Sequence, residues 1–212
     1  SSDGSVVAIG AFYNDGNGSN SGHVRVYEND NGTWTKIGDD IDGESNSDYS
    51  GSSVSLSSDG SVVAIGAYDN DGNGGGSGHV RIYENNNGTW TKIGDDIDGE
   101  YSSDHSGFSV SLSGDGSIVA IGARYNDPNA DGSNKGHVRI YENNNGTWTK
   151  IGDDIDGEGN NSQYFGWSVS LSNDGTVVAI GAPRDDDAAS DAGHVRVYKN
   201  INGTWTQIGS DI

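Results

Sequence analysis

One unit of sequence occurs four times in this chain. A Ser-Asp-Gly turn followed by an apolar run begins at residue 2 and returns at residue 58, with edited copies at residues 114 and 173. The anchoring aspartates are 56, 56 and 59 residues apart: Asp3, Asp59, Asp115 and Asp174. We delimit the repeats as residues 1–56, 57–112, 113–171 and 172–212, with the last truncated and the first lacking its inner strand. The fold must therefore use one supersecondary unit repeatedly.

The hydrophobic pattern inside each repeat has a period of two residues, which is typical of β-strands. In the second repeat it predicts four strands, at residues 53–57, 62–65, 79–83 and 89–93. The pairs Asp59-Gly60 and Asn87-Gly88 separate neighbouring strands, and such pairs favour tight hairpin turns. No segment has the 3.6-residue period of an amphipathic helix.

Four short antiparallel strands in a repeat of about 56 residues predict the blade of a β-propeller. A single four-stranded sheet is marginally stable, and stacking blades buries both faces of the middle strands. We therefore predict an all-β fold, a β-propeller built from four-stranded antiparallel blades. Because the first repeat lacks its inner strand, we expect further copies of the repeat, in this chain or another, to complete the ring.

The fourth repeat contains a recognisable order of short motifs. Phe165-Gly166 precedes its first strand, Gly181-Ala182-Pro183 follows its second, and residues 193–198 form its third. This order resembles the FG-GAP repeat of integrin-α-like propellers. The resemblance implies an extracellular or cell-surface adhesion or scaffold module. It does not carry over the calcium loop of those repeats, because the tight turn at residues 58–60 occupies the equivalent connection.

The charge balance excludes several classes of partner. The chain has 11 Lys and Arg residues against 32 Asp and Glu residues, so its net charge is −21. Nucleic acid and anionic lipid surfaces would be repelled, and no apolar run is long enough to insert into a membrane. The chain has neither Cys nor Met. We expect residue 1 not to be the start of translation, so that the chain is a processed product or part of a longer one.

Two sets of acidic residues are candidate calcium ligands, and Ca²⁺ is the only cofactor that we consider. The first set lies in polar loops after the second strand and contains Asp15, Asp71, Asp127 and Asp186. Hard cations need six to eight oxygen ligands, which such loops can supply, but solvated turns have the same composition. The second set joins one repeat to the next and contains Asp40, Asp96 and Asp154. Arginine–aspartate bridges are the alternative there.

The recurring histidines are poor candidates for a metal site, because equivalent strand positions lie whole blades apart. Asn-Gly-Thr recurs once per repeat and matches the acceptor sequence for N-glycosylation. The candidate acceptors are Asn31, Asn87, Asn145 and Asn202. Asn-Gly is also the preferred hairpin turn, so both interpretations remain open.

We predict that the chain is not an enzyme. Near-identical repeats give near-identical environments, whereas an acid and a base need different ones. Four residues have no counterpart in the other repeats, and they are scattered singly along the sequence: His105, Arg124, Trp167 and Arg184. Trp167 follows Phe165-Gly166 at a strand start, where we expect it to lie in the core.

The resulting functional hypothesis is a non-enzymatic extracellular or cell-surface module for adhesion, scaffolding or filament assembly. Its repeated faces would bind protein or glycan ligands weakly and gain strength by multivalency. The alternatives are a structural repeat protein stabilised by calcium and a multivalent glycan-binding propeller with sugar sites on Tyr13, Tyr68 and Tyr125. Only Tyr13 and Tyr125 occupy equivalent repeat positions, which argues against a repeated sugar pocket.

Overall fold

The computed structural model describes residues 1–127, 132, 134–158, 162–185 and 192–212. All regular secondary structure in these residues is β-strand. Among them, no helix is long and apolar enough to cross a membrane.

Within the described residues, 18 strands form four antiparallel sheets, which we call blades 1 to 4 in chain order. Blade 1 contains β1 (Val6–Ala11), β2 (His23–Asp30), β3 (Thr33–Lys36) and β4 (Ile41–Asp42). Blade 2 contains β5 (Ser53–Leu56), β6 (Val62–Ala67), β7 (His79–Asn86), β8 (Thr89–Lys92) and β9 (Ile97–Asp98). Blade 3 contains β10 (Ser106–Leu112), β11 (Ile118–Ala123), β12 (His137–Asn144), β13 (Thr147–Lys150) and β14 (Ile155–Asp156). Blade 4 contains β15 (Ser168–Leu171), β16 (Val177–Ala182), β17 (His194–Ile201) and β18 (Thr204–Gln207).

The predicted all-β blade architecture is confirmed. Blade 2 has the strand order β5-β6-β7-β8, and blades 3 and 4 repeat it. The short strand β9 was not predicted; it pairs with the start of β7, while β8 pairs with its end. The sheets are offset from the sequence repeats, because β5 ends the first repeat but pairs with β6 of the second.

Two kinds of tight turn fix the register of each blade. Asn87 and Gly88 have φ values of 52° and 87°, as a type I′ hairpin requires. In the turn before β6, the Asp59 carboxylate accepts hydrogen bonds from Ser61 N (2.9 Å), Ser61 Oγ (2.7 Å) and Ser57 Oγ (2.7 Å). These donors, the Ser61 backbone first, hold the pKa of Asp59 below its ordinary value. The carboxylate is thus engaged within its own turn.

An apolar core lies at each junction between neighbouring blades. Between blades 1 and 2, Val24 of β2 packs with Val63 and Ile65 of β6. On the other face of β6, Val62 and Ala64 belong to the core shared with blade 3. Alternate residues of one strand therefore serve two interfaces. This explains why the second strand of each repeat is a continuous apolar run.

Hydrogen bonds repeat along with the apolar contacts. The Trp90 indole of blade 2 donates from Nε1 to the Ile37 carbonyl of blade 1 at 2.9 Å. The equivalent bonds in the next two interfaces are Trp148 Nε1 to Ile93 O (2.9 Å) and Trp205 Nε1 to Ile151 O (3.0 Å). Backbone bonds also link the turns of successive blades: Ser2 N to Ser58 O (2.8 Å), Ser58 N to Gly114 O (2.7 Å) and Gly114 N to Asn173 O (2.7 Å).

In the part of the chain that the structure describes, the four blades stack in sequence without closing a ring. Val7 and Ile9 of β1 are exposed, whereas their equivalents in β6, Val63 and Ile65, are buried against the preceding blade. Blade 1 therefore presents an open face.

The blades approach each other so closely that one position requires glycine. A Cβ atom on Gly66 would lie 2.0 Å from the Gly107 carbonyl oxygen of blade 3. The equivalent Gly181 of blade 4 has no neighbouring backbone this near, and its Cβ would meet the Ser168 hydroxyl at 2.5 Å. Glycine is therefore required by neighbouring backbone at position 66, whereas at position 181 only a side-chain hydroxyl stands in the way of a larger residue.

We expect Gly66→Ala to lower the free energy of unfolding by about 2 kcal/mol, because backbone must move to accept the methyl group. Gly181→Ala should cost less than about 1 kcal/mol, since only a hydroxyl must rotate. Urea denaturation followed by tryptophan fluorescence measures both changes. Equal losses in the two variants would contradict the close approach between blades 2 and 3.

Candidate ligand-binding rim

A charged cluster joins each blade to the one before it. Arg81 of β7 is buried and forms an ion pair with Glu44, which follows β4 of blade 1. Its Nε atom also contacts Asp96 Oδ2 at 3.1 Å, and Lys92 Nζ donates to Asp96 Oδ1 at 2.5 Å. Burial acts to raise the pKa of Asp96, but Lys92 and Arg81 outweigh it and the pKa is lowered. Protein cations therefore already neutralise this carboxylate.

The predicted ligands Asp40 and Asp154 have similar partners. Lys36 and Lys150 donate to them at 2.7 Å and 2.5 Å, and Arg25 also binds Asp40. Among the residues that the structure describes, two sets of side chains have ligand atoms within 4.8 Å of one another, as metal binding would require: Glu44, His79 and Asp96, and Glu100, His137 and Asp154. Calcium binding at these carboxylates stays a prediction. A calcium ion would compete for their oxygens with the lysine and arginine side chains that already bind them.

The aspartates of the other acidic set shape their own loops. Asp15 Oδ1 accepts from Asn20 N at 2.7 Å, and Asp71 Oδ1 accepts from Gly76 N at 2.8 Å. Asp127 Oδ2 accepts from Gly132 N at 2.6 Å in the same way. Asp186 lies outside the described residues.

One cavity brings the two acidic sets together. Asp71 and Asp96 both line a space of about 400 Å³ between blades 1 and 2. Glu44, Asp48 and Asp98 line it as well. Burial raises the pKa of Asp98, so this carboxylate gains protons more readily than an exposed one.

The four candidate glycosylation residues all occupy exposed hairpin turns. Their backbone φ angles are left-handed, between 50° and 54°, at Asn31, Asn87, Asn145 and Asn202. Each is followed by a glycine with positive φ. The turn therefore accounts for the Asn-Gly pair, and glycosylation stays a prediction.

A buried polar pair, which the sequence did not reveal, ties the segment between blades to the next blade. Asp48 is 3% exposed and accepts a hydrogen bond from Asn70 Nδ2 at 3.0 Å. Asp104 and Asn126 form the same pair in blade 3. In blade 4 the partners are reversed, since Gln163 Nε2 donates to Asp185 Oδ2 at 2.5 Å.

Aromatic side chains cross all four blades along one rim of the molecule. The first two strands of a blade are antiparallel, so the residue before the first strand and the residue after the second share one edge. The rings at these positions form a continuous line, which we call the aromatic arc. It contains Tyr13, Tyr49, Tyr68, His105, Tyr125 and Tyr164.

Successive rings of the arc are in contact. Their centroids are 5.7, 5.4, 5.2, 4.8 and 5.2 Å apart in chain order, within the range of favourable aromatic pairs. Arg184 extends the arc, with its Cζ atom 4.9 Å from the Tyr164 ring centroid. The three tyrosines of the glycan hypothesis thus belong to one line of rings, although Tyr68 occupies a different repeat position from Tyr13 and Tyr125.

Three members of the arc have an unusual backbone conformation. Tyr49, His105 and Tyr164 have φ values of 54°, 54° and 56°, in the left-handed region that bulky residues rarely adopt. Backbone hydrogen bonds hold the first two, from Tyr49 N to Asn20 O (3.2 Å) and from His105 N to Gly76 O (3.1 Å). Such strain costs about 1–3 kcal/mol and persists where the surroundings enforce it, often at functional sites.

Arg124 lies in an aromatic cluster beside the arc. Its Cζ atom is 3.6 Å from the Phe108 ring centroid, 4.4 Å from that of Tyr125 and 4.8 Å from that of Trp167. Among the residues that the structure describes, its Nε atom has no hydrogen-bond partner. The expectation that Trp167 lies in the core is wrong, because this side chain is 41% exposed on the rim.

His105 gives the arc a titratable group. Its Nε2 atom is 3.6 Å from Asp69 Oδ1. Burial, aided by the Arg124 charge, lowers the pKa of His105 to about 4, and burial raises the pKa of Asp69. At neutral pH the imidazole is therefore uncharged. Histidine, arginine and tyrosine side chains thus converge on one rim.

Comparison with protein families identifies the repeat. The FG-GAP repeat family matches residues 97–141 and 148–198. The resemblance is confirmed for these two segments, which together make up less than half of the chain. No curated protein matches the chain significantly in sequence.

Solved structures share the fold at low sequence identity. A 6-phosphogluconolactonase-like protein from Bacteroides uniformis has a TM-score of 0.59 and 17% identity, over 90% of this chain and 48% of that chain. The periplasmic gluconolactonase PpgL of Pseudomonas aeruginosa has a TM-score of 0.56 and 16% identity, over 92% and 49%. The tricorn protease has a TM-score of 0.53 and 11% identity, over 93% and 17%. The chain spans about half the length of the two lactonase chains, and the likeness shows a propeller fold.

The prediction that the chain is not an enzyme is contradicted by these neighbours, two of which are described as lactonases. The prediction assumed that the residues without a counterpart in the other repeats lie far from one another in the folded protein. His105, Arg124 and Trp167 instead lie on one rim, linked through the rings of Tyr125 and Phe108. Chain positions alone could not show this, because the three residues come from different strand ends.

We expect the His105 imidazole to stay neutral down to about pH 4 in the folded protein. The ordinary value is 6.5, so between these values the unfolded chain binds more protons than the folded chain. This contribution to stability is complete above about pH 6.5 and is lost as the pH falls through about 4. A ¹⁵N NMR titration measures the midpoint, and His105→Gln assigns the signal. A midpoint above 6 would contradict the prediction.

Proposed function

We propose that the aromatic arc binds carbohydrate or a sugar-derived ligand. The observation that carries this proposal is the unbroken line of six rings across four blades. Ligand sites typically combine aromatic surface with a few polar groups that fix orientation. The arc supplies both, since phenol hydroxyls, the His105 imidazole and two guanidinium groups accompany its rings.

The exposure of the arc supports a surface ligand. Tyr13 is 67% exposed, and the other five rings are partly buried, so their edges or faces remain open to solvent. Rings that already contact one another lose little conformational entropy when a ligand stacks on them. A flat, hydroxyl-rich ligand fits this surface better than a large apolar one.

A second candidate function is hydrolysis of a sugar lactone at His105, and the pairing of this neutral imidazole with Asp69 favours it. His105 would take a proton from water while the water oxygen attacks the lactone carbonyl carbon. The ring C–O bond would then break, and the departing oxygen would take up the proton to give the hydroxy acid. Arg124 carries the positive charge that would stabilise the intermediate oxyanion. The lactonase descriptions of two structural neighbours support the same chemical class.

We place the protein outside the cytoplasm. The FG-GAP repeats and the periplasmic location in the description of one neighbour support this placement. A rim that binds carbohydrate is also compatible with surface attachment. Adhesion then becomes one use of the same binding surface, and no comparison supports it separately.

We expect Tyr68→Ala and Tyr125→Ala each to weaken oligosaccharide binding about tenfold, since each removes a ring from the middle of the arc. A panel of immobilised oligosaccharides finds a ligand, and calorimetry then measures its affinity for each variant.

Tyr101→Ala is the matched control, because Tyr101 is 51% exposed and is not one of the arc rings. Unchanged binding by both arc variants would contradict the proposal, as would a wild-type chain that binds no member of the panel.

We expect the chain to hydrolyse gluconolactone faster than buffer does. The His105→Gln substitution should reduce this rate acceleration about 100-fold or more. A pH-stat records the acid released, and Tyr101→Ala should keep the wild-type rate. Full activity in His105→Gln would exclude His105 as the base, while leaving carbohydrate binding by the tyrosines intact.

A further inference from the structure

We propose that the part of the rim around Arg124 binds the carboxylate of an acidic saccharide, such as an oligomer of a uronic acid. This inference rests on the proposed function, and it names the class of carbohydrate that the aromatic arc takes. The observation behind it is a guanidinium group that the described residues surround with aromatic rings and leave without an ion pair.

Arg124 differs from the arginines that recur once per repeat. Each of those forms an ion pair with an acidic residue: Arg25 with Asp40, Arg81 with Glu44, Arg139 with Glu100 and Arg196 with Asp211. Within the described part of the chain, the buried Nε atom of Arg124 has no partner. Burial lowers the pKa of Arg124, and the remaining influences on it come from three nearby tyrosines. The guanidinium group is therefore available to a carboxylate from outside the chain.

The fold does not require a cation at this position. The equivalent residues after the second strand of the other blades are uncharged, namely Phe12, Tyr68 and Pro183. A half-buried charge without an ion pair carries a desolvation penalty, and groups of this kind concentrate at functional sites. The arginine in blade 3 alone therefore indicates a local role, separate from the stacking of the blades.

The rings around Arg124 leave the edge of its guanidinium group for a ligand. The Arg124 Cζ atom lies 3.6 Å from the Phe108 ring centroid, so this ring packs against a face of the group. A carboxylate instead accepts two parallel hydrogen bonds from N–H groups in the guanidinium plane. The two contacts use different parts of the side chain. A guanidinium group already held by rings also loses less conformational entropy when a ligand binds.

Trp167 supplies a surface for the sugar ring beside the charge. It is 41% exposed, and its ring centroid lies 4.8 Å from the Arg124 Cζ atom. A uronic acid carries its carboxylate directly on a carbon atom of the pyranose ring. A sugar stacked on Trp167 can therefore place its carboxylate against the guanidinium group. A neutral sugar at the same place gains the stacking contact alone.

Calorimetry with matched acidic and neutral ligands tests the proposal. Trigalacturonate and its methyl ester have the same sugar rings, but only the first carries carboxylates, and triglucuronate with its methyl ester forms a second pair. At neutral pH and about 0.15 M salt, charges more than about 8 Å apart are largely screened. Under these conditions we expect the wild-type chain to bind the acid about tenfold more tightly than the ester in at least one pair.

Arg124→Gln removes the charge and keeps a polar side chain. This variant should lose the preference for the acid while binding the ester as the wild-type chain does, which also shows that the variant is folded. Lys199→Gln is the matched control, because it changes the net charge by the same amount at an exposed residue of β17 outside the aromatic arc. It should retain the preference for the acid.

Each other outcome overturns a defined part of the inference. Equal affinity for acid and ester in both pairs would overturn it and leave carbohydrate binding by the arc intact. A preference that persists in Arg124→Gln would overturn the assignment to Arg124. A triaspartate peptide that binds as tightly as the acids would show a general carboxylate site and overturn the assignment to saccharides. Binding of neither acid nor ester would also overturn the inference, and the oligosaccharide panel then decides separately on the proposed function.

Discussion

Burial of alternate strand residues between neighbouring blades is the interaction on which the rest of the structure depends. One blade has too little apolar surface to be stable alone, so each sheet must cover both faces with another sheet. In β6 this requirement makes Val63 and Ile65 serve one neighbour while Val62 and Ala64 serve the other. The indole of Trp90 and the glycine at Gly66 then set how closely the sheets approach.

Because these contacts fix the strands, the strand ends can vary without loss of the fold. Tyr68, Arg124 and Pro183 occupy equivalent positions after the second strand, yet they have unrelated side chains. The scaffold holds such residues at one edge, where they meet residues from the next blade. A repeat protein can in this way build an asymmetric site from symmetric parts, and the contact between His105 and Tyr125 is one example.

Local patterns were sufficient to predict the strands and turns. The predicted strand at residues 53–57 corresponds to β5, and the Asn87-Gly88 turn has the expected dihedral angles. The strand β9 was missed because two residues, Ile97 and Asp98, are too few to show a period.

The aromatic arc was missed for a different reason. Its members come from two different strand ends, and the left-handed φ of tyrosine has no sequence signature. Trp167 was misplaced because a tryptophan at a strand start has the same local pattern on a rim as in a core.

The reversed polar pair of blade 4 bears on how the repeats diverged. Blade 2 has an aspartate facing an asparagine, Asp48 and Asn70, whereas blade 4 has Gln163 facing Asp185. Changing only the first partner to aspartate in blade 4 would bury two carboxylates side by side. Changing only the second to asparagine would replace a charge-assisted hydrogen bond by a weaker neutral one. The two positions are therefore epistatic: the free-energy effect of either substitution depends on the other residue, and the route between the two arrangements passes through a mismatched intermediate.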